Sequence, residues 1–221
     1  MKIIAVIPAY NEASMVGSVV RAALPFVSEV VVIDDGSKDE TAKRAKEAGA
    51  CVYAHIMNRG LGATLATGIS AALKRGADIL ITLDADGQHD PSEIPHFIRA
   101  IEEKHVDAVI GSRLLQKSGM PAYRRLYNWI GNAVTWALFG LWVTDSQSGF
   151  RAFTRAGASR LTLRSNRMEV SSEFIKEIRD KNISFCEIPC SVKYTDYSLS
   201  KGQSFFVGLS TAGKLLLRKL M

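Results

Sequence analysis

Cysteine is scarce in this chain, and so are proline and the aromatic residues. The 221 residues include 3 Cys and 6 Pro, and 8% are aromatic. Cys51, Cys186 and Cys190 are odd in number and lie in or beside apolar strand-like runs, which argues against a disulfide framework. They also lack the further Cys or His pair of a structural zinc site. We therefore expect buried, small apolar side chains in a reducing compartment.

Long runs of a single kind of residue are missing too. No run of Lys or Arg is long and no binding motif is visible, which disfavours nucleic acid as a partner. The most apolar region, residues 126–143, is interrupted by Asn128, Asn132 and Thr135. It predicts an amphipathic or core helix pair rather than a membrane crossing, which takes about 20 apolar residues. The chain starts directly with a strand pattern, so we expect a cytosolic protein or one on the cytosolic face of a membrane.

What the chain does have is enough apolar residues for a full core. Hydrophobic residues make up 47% of the sequence, which suits one catalytic domain. The 28 Lys and Arg exceed the 22 Asp and Glu, giving a net charge of +6. This excess favours anionic ligands or an anionic membrane surface without choosing between them.

Strand and helix patterns alternate through the first half of the chain. Apolar runs at residues 4–7, 30–33, 79–83 and 108–110 predict strands, and residues 41–48, 61–73 and 94–103 predict helices. With helices between successive strands, the sequence predicts an α/β fold with a mostly parallel central sheet and right-handed crossovers.

Two carboxylates follow the third predicted strand, one residue apart. Ligands of α/β sheets bind beyond the carboxyl ends of the strands, and alternate residues of an extended segment point the same way. Asp84 and Asp86 are therefore candidates to share one hard cation and leave its other positions to water and phosphate oxygens. A solvated acidic turn before a helix is the competing interpretation.

Six motifs, one of which contains these two carboxylates, follow one another along the chain. They read IPAYNE, VIDDGSKDET, NRGLGATLATGI, LDADGQHDP, GSR and DSQSGFR. In this order, across residues 1 to about 203, they resemble the family 2 glycosyltransferases of the GT-A fold, most closely the branch that uses polyprenyl phosphate. The resemblance implies a GT-A catalytic domain over residues 1–203. Residues 204–221 then form an amphipathic C-terminal segment, either on a membrane surface or docked on the core.

The resemblance also implies which residues bind the donor. Pro8, Tyr10, Glu12 and Asp35 correspond to positions that hold the nucleoside, although Glu12 also suits a helix start and Asp35 a turn. Asp84, Asp86 and Gln88 resemble the metal site, for which all-oxygen ligation favours Mg²⁺ or Mn²⁺. Lys201 is a candidate to cover the diphosphate.

Two other features near these motifs are weaker signals. Backbone N–H groups of residues 58–62 enter a helix and could contact phosphate. His89 could approach the metal but is better interpreted as a hydrogen-bonded turn residue, and no partner is visible for His55.

Acceptor residues follow from the later motifs. Arg113 matches the family arginine for a lipid phosphate, and Arg124, with Arg125 as the alternative in register, falls at the second such position. Asn128 stands where the family often has serine. The DSQSGFR segment is expected to border the acceptor with Asp145 and Gln147, while Arg151 is favoured as a buried structural partner. Asp145 could act as a general base for a sugar hydroxyl, whereas a phosphate acceptor needs little proton removal.

The expected reaction is a single inverting displacement from a UDP- or GDP-linked sugar, with Asp86, Asp145 and Arg113 nearest the chemistry. A polyprenyl phosphate at the cytosolic membrane face is the leading acceptor. Transfer to a saccharide or lipid hydroxyl, and a non-catalytic nucleotide-sugar-binding protein, are the alternatives. The sequence determines neither the sugar nor the oligomeric state.

Overall fold

The computed structural model describes residues 1–115 and 122–193, with side chains from residue 125 onward in the second range. The strands within these ranges are β1 Ile3–Ala9, β2 Glu29–Asp34, β3 Cys51–Ala54, β4 Ile79–Thr82, β5 Ala108–Ser112, β6 Arg151–Thr154 and β7 Phe185–Pro189. The helices are α1 Val16–Ala23, α2 Thr41–Glu47, α3 Leu61–Lys74, α4 Ile94–Lys104, α5 Ala122–Phe139, α6 Arg155–Arg160 and α7 Val170–Asp180. Lys201 and residues 204–221 lie outside the described residues.

The strands form one sheet in the order β3-β2-β1-β4-β6-β5-β7. Strands β1 to β4 pair in parallel, as does β5 with β7, while β6 runs antiparallel to both β4 and β5. The expected mostly parallel α/β sheet is confirmed. Because β6 is reversed, its first residue, Arg151, pairs with Thr82 at the carboxyl end of β4. The ends of β4 and β5 and the start of β6 thus share one edge of the sheet.

The sheet is buried on both faces because its central strands are apolar throughout. Along β1, Ala5 and Ile7 face a core that α1, α2 and α4 complete, while Ile4 and Val6 face a second core formed with α3, α6 and α7. Continuous apolar runs are typical of parallel strands covered by helices on both sides. Helix α3 approaches closely, since a Cβ built at Gly68 would lie 2.3 Å from Cγ1 of Val6.

The apolar region at residues 126–143 forms one helix and not the predicted pair. Helix α5 ends at Phe139, and Gly140 follows with a φ of +70° and its N–H bonded to the carbonyl of Trp136. A left-handed glycine at this position is a common helix terminator. None of the described helices has the length and apolar character needed to cross a bilayer.

Candidate functional site

The loops that follow β1 and β2 are joined by hydrogen bonds at the carboxyl edge of the sheet. The N–H of Asn11 donates to Oγ of Ser37 at 2.9 Å, and the N–H of Glu12 donates to Oγ1 of Thr41 at 2.8 Å. These contacts fix the positions of two predicted donor-binding residues: Glu12, and Tyr10, which is 42% exposed. Pro8 is buried in β1, beyond the pairing with β4 that ends at Val6, so its missing N–H breaks no bond of that ladder.

Asp35 lies at the same edge, and its carboxylate is hydrogen-bonded to other groups of the protein. Its Oδ1 accepts from the N–H of Arg59 at 2.9 Å and lies 2.7 Å from Nδ1 of His55, and its Oδ2 accepts from the N–H of Gly60 at 2.7 Å. The expectation that His55 has no partner is therefore wrong, because Thr67 also lies 3.1 Å from its Nε2. The carboxylate is 4% exposed and anchors the loop before α3. Its contact with a nucleoside stays a prediction.

The start of α3 packs against the segment that precedes α7. The N–H of Gly62 donates to the carbonyl of Asn166 at 2.9 Å, and a Cβ at Gly62 would lie 1.8 Å from the carbonyl oxygen of Ser165. The segment that contains these two residues is held by Glu173 of α7, which accepts from the N–H of Ser165 at 2.8 Å. Three of the five N–H groups of residues 58–62, those of Arg59, Gly60 and Gly62, therefore have protein acceptors in place of the phosphate that the sequence suggested.

The three predicted metal-site residues, Asp84, Asp86 and Gln88, follow β4, and each of the two carboxylates has a protein partner. Gln88 donates to Asp86 through its backbone N–H at 3.0 Å and through Nε2 at 2.7 Å, so it orients the carboxylate by its donor groups. Nε2 of His89 lies 3.4 Å from Oδ2 of Asp84, and His89 is 5% exposed. The carboxylate of Asp84 is 40% exposed.

The charges of Asp84 and Asp86 favour the binding of a cation. Burial and the neighbouring Asp84 carboxylate raise the pKa of Asp86. For Asp84, desolvation acts upward, but His89, Arg151 and Arg113 outweigh it and lower the pKa. A divalent cation relieves such repulsion between carboxylates. No group of three or more His, Cys, Asp or Glu among the described residues is placed to hold a metal alone. Two carboxylates that leave positions for substrate oxygens fit the preferences of Mg²⁺.

The DSQSGFR segment lies directly against this acidic pair. A Cβ built at Gly149 would lie 2.4 Å from Oδ2 of Asp84, so only glycine fits there without a shift. The carbonyl of Gly149 accepts from Oγ1 of Thr82 at 2.8 Å. The reversed strand β6 explains this proximity, since the segment leads into Arg151, which pairs with Thr82.

Arg113 and Asp145 form a buried pair beside the acidic site. Nε of Arg113 donates to Oδ2 of Asp145 at 2.6 Å, Nη2 donates to Oδ1 at 2.7 Å, and the backbone N–H of Arg113 reaches Oδ2 at 3.0 Å. Asp145 is fully buried, whereas the Arg113 side chain keeps 16% exposure. Two parallel hydrogen bonds of this kind fix the plane of a guanidinium. Asp145 thus orients Arg113.

Arg151 is buried between these two groups, as expected of a structural residue. It is 1% exposed, donates from Nη2 to the carbonyl of Ser146 at 3.1 Å, and lies over the ring of Phe174 at 4.6 Å. Burial lowers its pKa to about 10, while Asp84 and Asp145 act in the opposite direction. Its positive charge is therefore attracted to the carboxylates of both Asp84 and Asp145.

Helix α5 holds the segment that contains Asp145. Nδ2 of Asn132 donates to the carbonyl of Thr144 at 2.5 Å, and its Oδ1 accepts from the N–H of Ser146 at 2.9 Å. Sequence reasoning treated Asn132 only as an interruption of an apolar run, although an isolated Asn in such a run was the available signal. Gln147 points its amide nitrogen at Ser146 and Ser172, at 3.2 and 3.4 Å.

The remaining predicted acceptor residues lie on α5 itself. Asn128 is half-buried and Arg125 is exposed, while the side chain of Arg124 is outside the described set. The structure thus brings Asp84, Asp86, Arg113 and Asp145 to one edge, with α5 beside them.

Comparison with known proteins agrees with this architecture. The sequence model of Glycosyl transferase family 2 matches residues 4–163. The chain belongs to this family. It is therefore a glycosyltransferase, and the resemblance inferred from its motifs is confirmed.

Two curated relatives are similar over most or much of the chain. The UDP-N-acetylglucosamine–dolichyl-phosphate N-acetylglucosaminyltransferase of Methanococcus voltae is 33% identical, covering 97% of this chain and 95% of the relative. The undecaprenyl-phosphate mannosyltransferase of Micrococcus luteus is 34% identical, covering 69% of this chain and 66% of the relative. Both names specify a polyprenyl phosphate.

Solved structures support the fold. Glucosyl-3-phosphoglycerate synthase from Mycobacterium tuberculosis, crystallised with Mn²⁺, UDP and glucosyl-3-phosphoglycerate, has a TM-score of 0.76 and 20% identity. The match covers 99% of this chain and 79% of that one. The expected GT-A fold is confirmed.

Proposed function

We propose that this glycosyltransferase moves a sugar from a UDP- or GDP-linked donor to the phosphate of a polyprenyl phosphate, with inversion at the anomeric carbon. Asp84 and Asp86 hold Mg²⁺ or Mn²⁺, and Arg113 binds the acceptor phosphate. A bound divalent cation would neutralise the diphosphate leaving group. The names of the two curated relatives and the metal in the related crystal structure support this assignment.

The donor end is supported by the arrangement of the strand ends. Tyr10 and Glu12 are fixed against the loop after β2, and the acidic pair after β4 opens on the same edge of the sheet. A nucleoside held near Tyr10 and Glu12 directs its diphosphate toward Asp84 and Asp86. Asp35 contributes by positioning the loop at Arg59 and Gly60, and Lys201 remains the candidate to cover the diphosphate.

The choice of acceptor depends on one observation, the bidentate pair of Arg113 and Asp145. A general base must reach the proton it removes, and Asp145 is fully buried with both oxygens bonded to Arg113. An ionised phosphate needs no such base, since its oxygen is already a nucleophile. A guanidinium with a fixed plane is suited to a phosphate. The pair therefore favours a phosphate acceptor over a sugar hydroxyl.

The experiment is a donor and acceptor screen with the full chain. UDP- and GDP-linked sugars are combined with polyprenyl phosphate, polyprenol or free saccharides, in Mg²⁺, Mn²⁺ or EDTA, and both nucleotide release and sugar transfer are followed. We expect transfer only with the phosphorylated lipid and a metal. Polyprenol is the matched control, because it differs from the acceptor only in the phosphate. Transfer to polyprenol or to a saccharide at an equal rate would reject the phosphate assignment.

A further inference from the structure

Strand β7 carries a carboxylate that is hydrogen-bonded to the segment of Asp145. Glu187 lies in the middle of β7, opposite Ile110 of β5. Its Oε1 accepts from the N–H of Thr144 at 2.8 Å and from the Thr144 hydroxyl at 2.7 Å, and its Oε2 accepts from the same N–H at 3.0 Å. The N–H of Asp145 also donates to Oε1, at 3.4 Å. One side chain therefore fixes the peptide that leads into Asp145.

The hydroxyl of Thr144 extends this contact to the residue before Arg113. Its Oγ1 lies 2.6 Å from Oγ of Ser112, which is fully buried. Thr144 gives its one hydroxyl proton to Glu187, so Ser112 must be the donor in the bond between the two hydroxyls. The hydrogen bonds thus run in one direction, from Ser112 through Thr144 to a carboxylate, and a charged acceptor makes such bonds stronger than neutral ones.

Two adjacent pairs of residues connect the end of β5 to the segment before β6. Ser112 is bonded to Thr144, and the next residue on each side, Arg113 and Asp145, forms the bidentate salt bridge. The backbone N–H of Arg113 donates to Asp145 as well. Because Asp145 sets the plane of the Arg113 guanidinium, a shift of residue 144 displaces the guanidinium too.

The two polar ends of Thr144 are held by different elements. Asn132 of α5 donates to its carbonyl at 2.5 Å, whereas Glu187 of β7 accepts from its N–H. The predicted donor-binding residues Tyr10 and Glu12 belong instead to the loop after β1, which is bonded to the loop after β2. Within the described part of the chain, the hydrogen bonds of Glu187 reach Thr144 and Asp145. Its influence should therefore fall on the acceptor side of the site.

We propose that Glu187 is a positioning residue for acceptor binding. Through Thr144 it sets the position of Asp145, and through Asp145 it sets the guanidinium of Arg113 that binds the acceptor phosphate. The orientation of Arg113 belongs to the fold. Only its effect on transfer rests on the proposed function.

Glu187→Ala should raise the acceptor KM about tenfold, the scale of one weakened hydrogen bond to a charged group, and should leave donor affinity unchanged. Glu187→Gln keeps Oε1, which accepts three of the four bonds, and should stay within about threefold of the wild type. Acceptor-saturation kinetics and calorimetry with nucleoside diphosphate measure the two quantities. A fall in kcat or in donor affinity with an unchanged acceptor KM would overturn the proposal.

Glu177→Ala is the matched control for the loss of a carboxylate that binds a backbone N–H. Glu177 of α7 is 6% exposed and accepts from the N–H of Thr162 at 2.9 Å. Its removal also leaves a backbone donor unpaired, so it should lower stability to a similar extent while the acceptor KM stays that of the wild type. An equal rise in acceptor KM in this variant would attribute the effect to lost stability and overturn the proposal.

Thr144→Val and Thr144→Ser form a milder pair, in case Glu187→Ala does not fold. Valine keeps the shape of threonine and the backbone bonds to Glu187, but it removes the hydroxyl bridge to Ser112, which serine retains. The acceptor KM should rise about threefold in Thr144→Val and return toward the wild-type value in Thr144→Ser. Equal values in both variants and the wild type would overturn the proposal.

A readout that needs no catalysis separates this proposal from the proposed function. The Nε–H of Arg113 donates to Asp145 at 2.6 Å, so its NMR signal in isotope-labelled protein, identified by its loss in Arg113→Lys, should exchange slowly with water. Glu187→Ala should speed this exchange at least about tenfold, whereas Glu187→Gln and Glu177→Ala should not. Unchanged exchange in folded Glu187→Ala would overturn the proposal. A wild type that shows this pattern but transfers no sugar to polyprenyl phosphate would reject the proposed function and leave the positioning of Arg113 intact.

Discussion

Arg113 and Asp145 form a salt bridge in a confined part of the structure, so a substitution of either residue affects the other. Asp145 is fully buried, and Arg113 supplies three of its hydrogen bonds. Removing one partner of a buried pair leaves an uncompensated charge, which is more costly than losing the pair's own attraction. Effects on acceptor binding and on stability should therefore appear together.

Asp145→Asn should raise the acceptor KM and cost about 3 kcal/mol of unfolding free energy, near the low end for a broken buried pair because Arg113 keeps some exposure. Donor affinity should not change. Acceptor-saturation kinetics, calorimetry with nucleoside diphosphate and denaturant unfolding measure the three quantities. Arg113→Ala and the double variant complete a cycle in which we expect strong non-additivity. A large fall in kcat with unchanged KM and stability would instead indicate that Asp145 is a base.

Asp86→Asn should reduce metal-dependent transfer at least about 100-fold, since a cation's charge stabilisation is worth several kcal/mol. Asp84→Asn should behave similarly. The free energy of unfolding in EDTA should change in the opposite direction to activity, so that Asp86→Asn is more stable than the wild type. The pKa of Asp86 is raised, so its ionisation destabilises the metal-free fold at neutral pH, and the amide should increase stability there. Asp180→Asn, on the surface of α7, is the control. Full activity of both site variants would contradict the metal assignment.

The buried thiol of Cys190 should make the stability of the fold depend on pH. Burial raises the pKa of its thiol to about 12 from an ordinary value of 9.0. Between these values the unfolded thiol is ionised and the folded thiol is not, so stability should fall as pH rises, by up to about 1.4 kcal/mol per pH unit. The advantage of the wild type over Cys190→Ala should shrink in this range, as measured by denaturant unfolding. A constant difference would show that the thiol ionises in the fold.

At the scale of elements, apolar runs predict β1, β2, β4 and β5 within two residues of their ends, because strands covered on both faces must be apolar throughout. Strand β6 escapes this reasoning, since it is four residues long and starts with the buried Arg151. Helix α5 departs from the pattern in a different way. A periodicity argument assigns apolar residues to the core, but this helix buries Asn132 and Thr135 as well as Leu138 and Phe139.

The candidate site also combines residues that the sequence predicts with contacts that it does not. The motifs point to Asp84, Asp86, Arg113 and Asp145, and the fold brings these together. His55 could not be predicted as a partner of Asp35, because the two are 20 residues apart in sequence and meet only when β2 and the loop after β3 are side by side. The role of Asp145 in orienting Arg113 depends on burial, which no local pattern specifies.

Two helical glycines offer a matched test of close packing. Alanine normally stabilises a helix interior by about 1 kcal/mol relative to glycine. In α5, a Cβ at Gly131 meets only Cγ of Gln147 at 3.8 Å, so Gly131→Ala should be neutral or stabilising. In α3, Gly62→Ala would place its Cβ 1.8 Å from the carbonyl oxygen of Ser165 and should destabilise by about 1–3 kcal/mol. Thermal unfolding compares them, and equal shifts would contradict the contact at Ser165.

At the scale of the whole molecule, one edge of the sheet collects the site from distant parts of the sequence. Asp84 follows β4, Arg113 follows β5 and Asp145 precedes β6. A ligand bound at this edge therefore contacts elements on both sides of the sheet centre. Its binding energy should stabilise the fold as a unit.

Nucleoside diphosphate with Mn²⁺ should raise the melting temperature. Ligand at 100 times its Kd adds about 2.7 kcal/mol, which corresponds to roughly 5–10 °C for a domain of this size. Differential scanning fluorimetry measures the shift with Mn²⁺ and with EDTA. Asp86→Asn is the control, and should lose the metal-dependent part. A shift of the same size in EDTA would argue that the cation takes no part in binding.

The place of β6 between β4 and β5 has a consequence during synthesis. Strand β4 leaves the ribosome about 70 residues before the strand that pairs with its second edge. At 5–20 residues per second this interval lasts roughly 4–14 s. Until then the edge of β4 from Ile79 to Thr82, which is apolar except for Thr82, has no partner, and β5 has no neighbour to join. A nascent chain in this state exposes an unpaired strand edge, which is a template for aggregation. The growing polypeptide should therefore depend on chaperones most during the synthesis of residues 83–150.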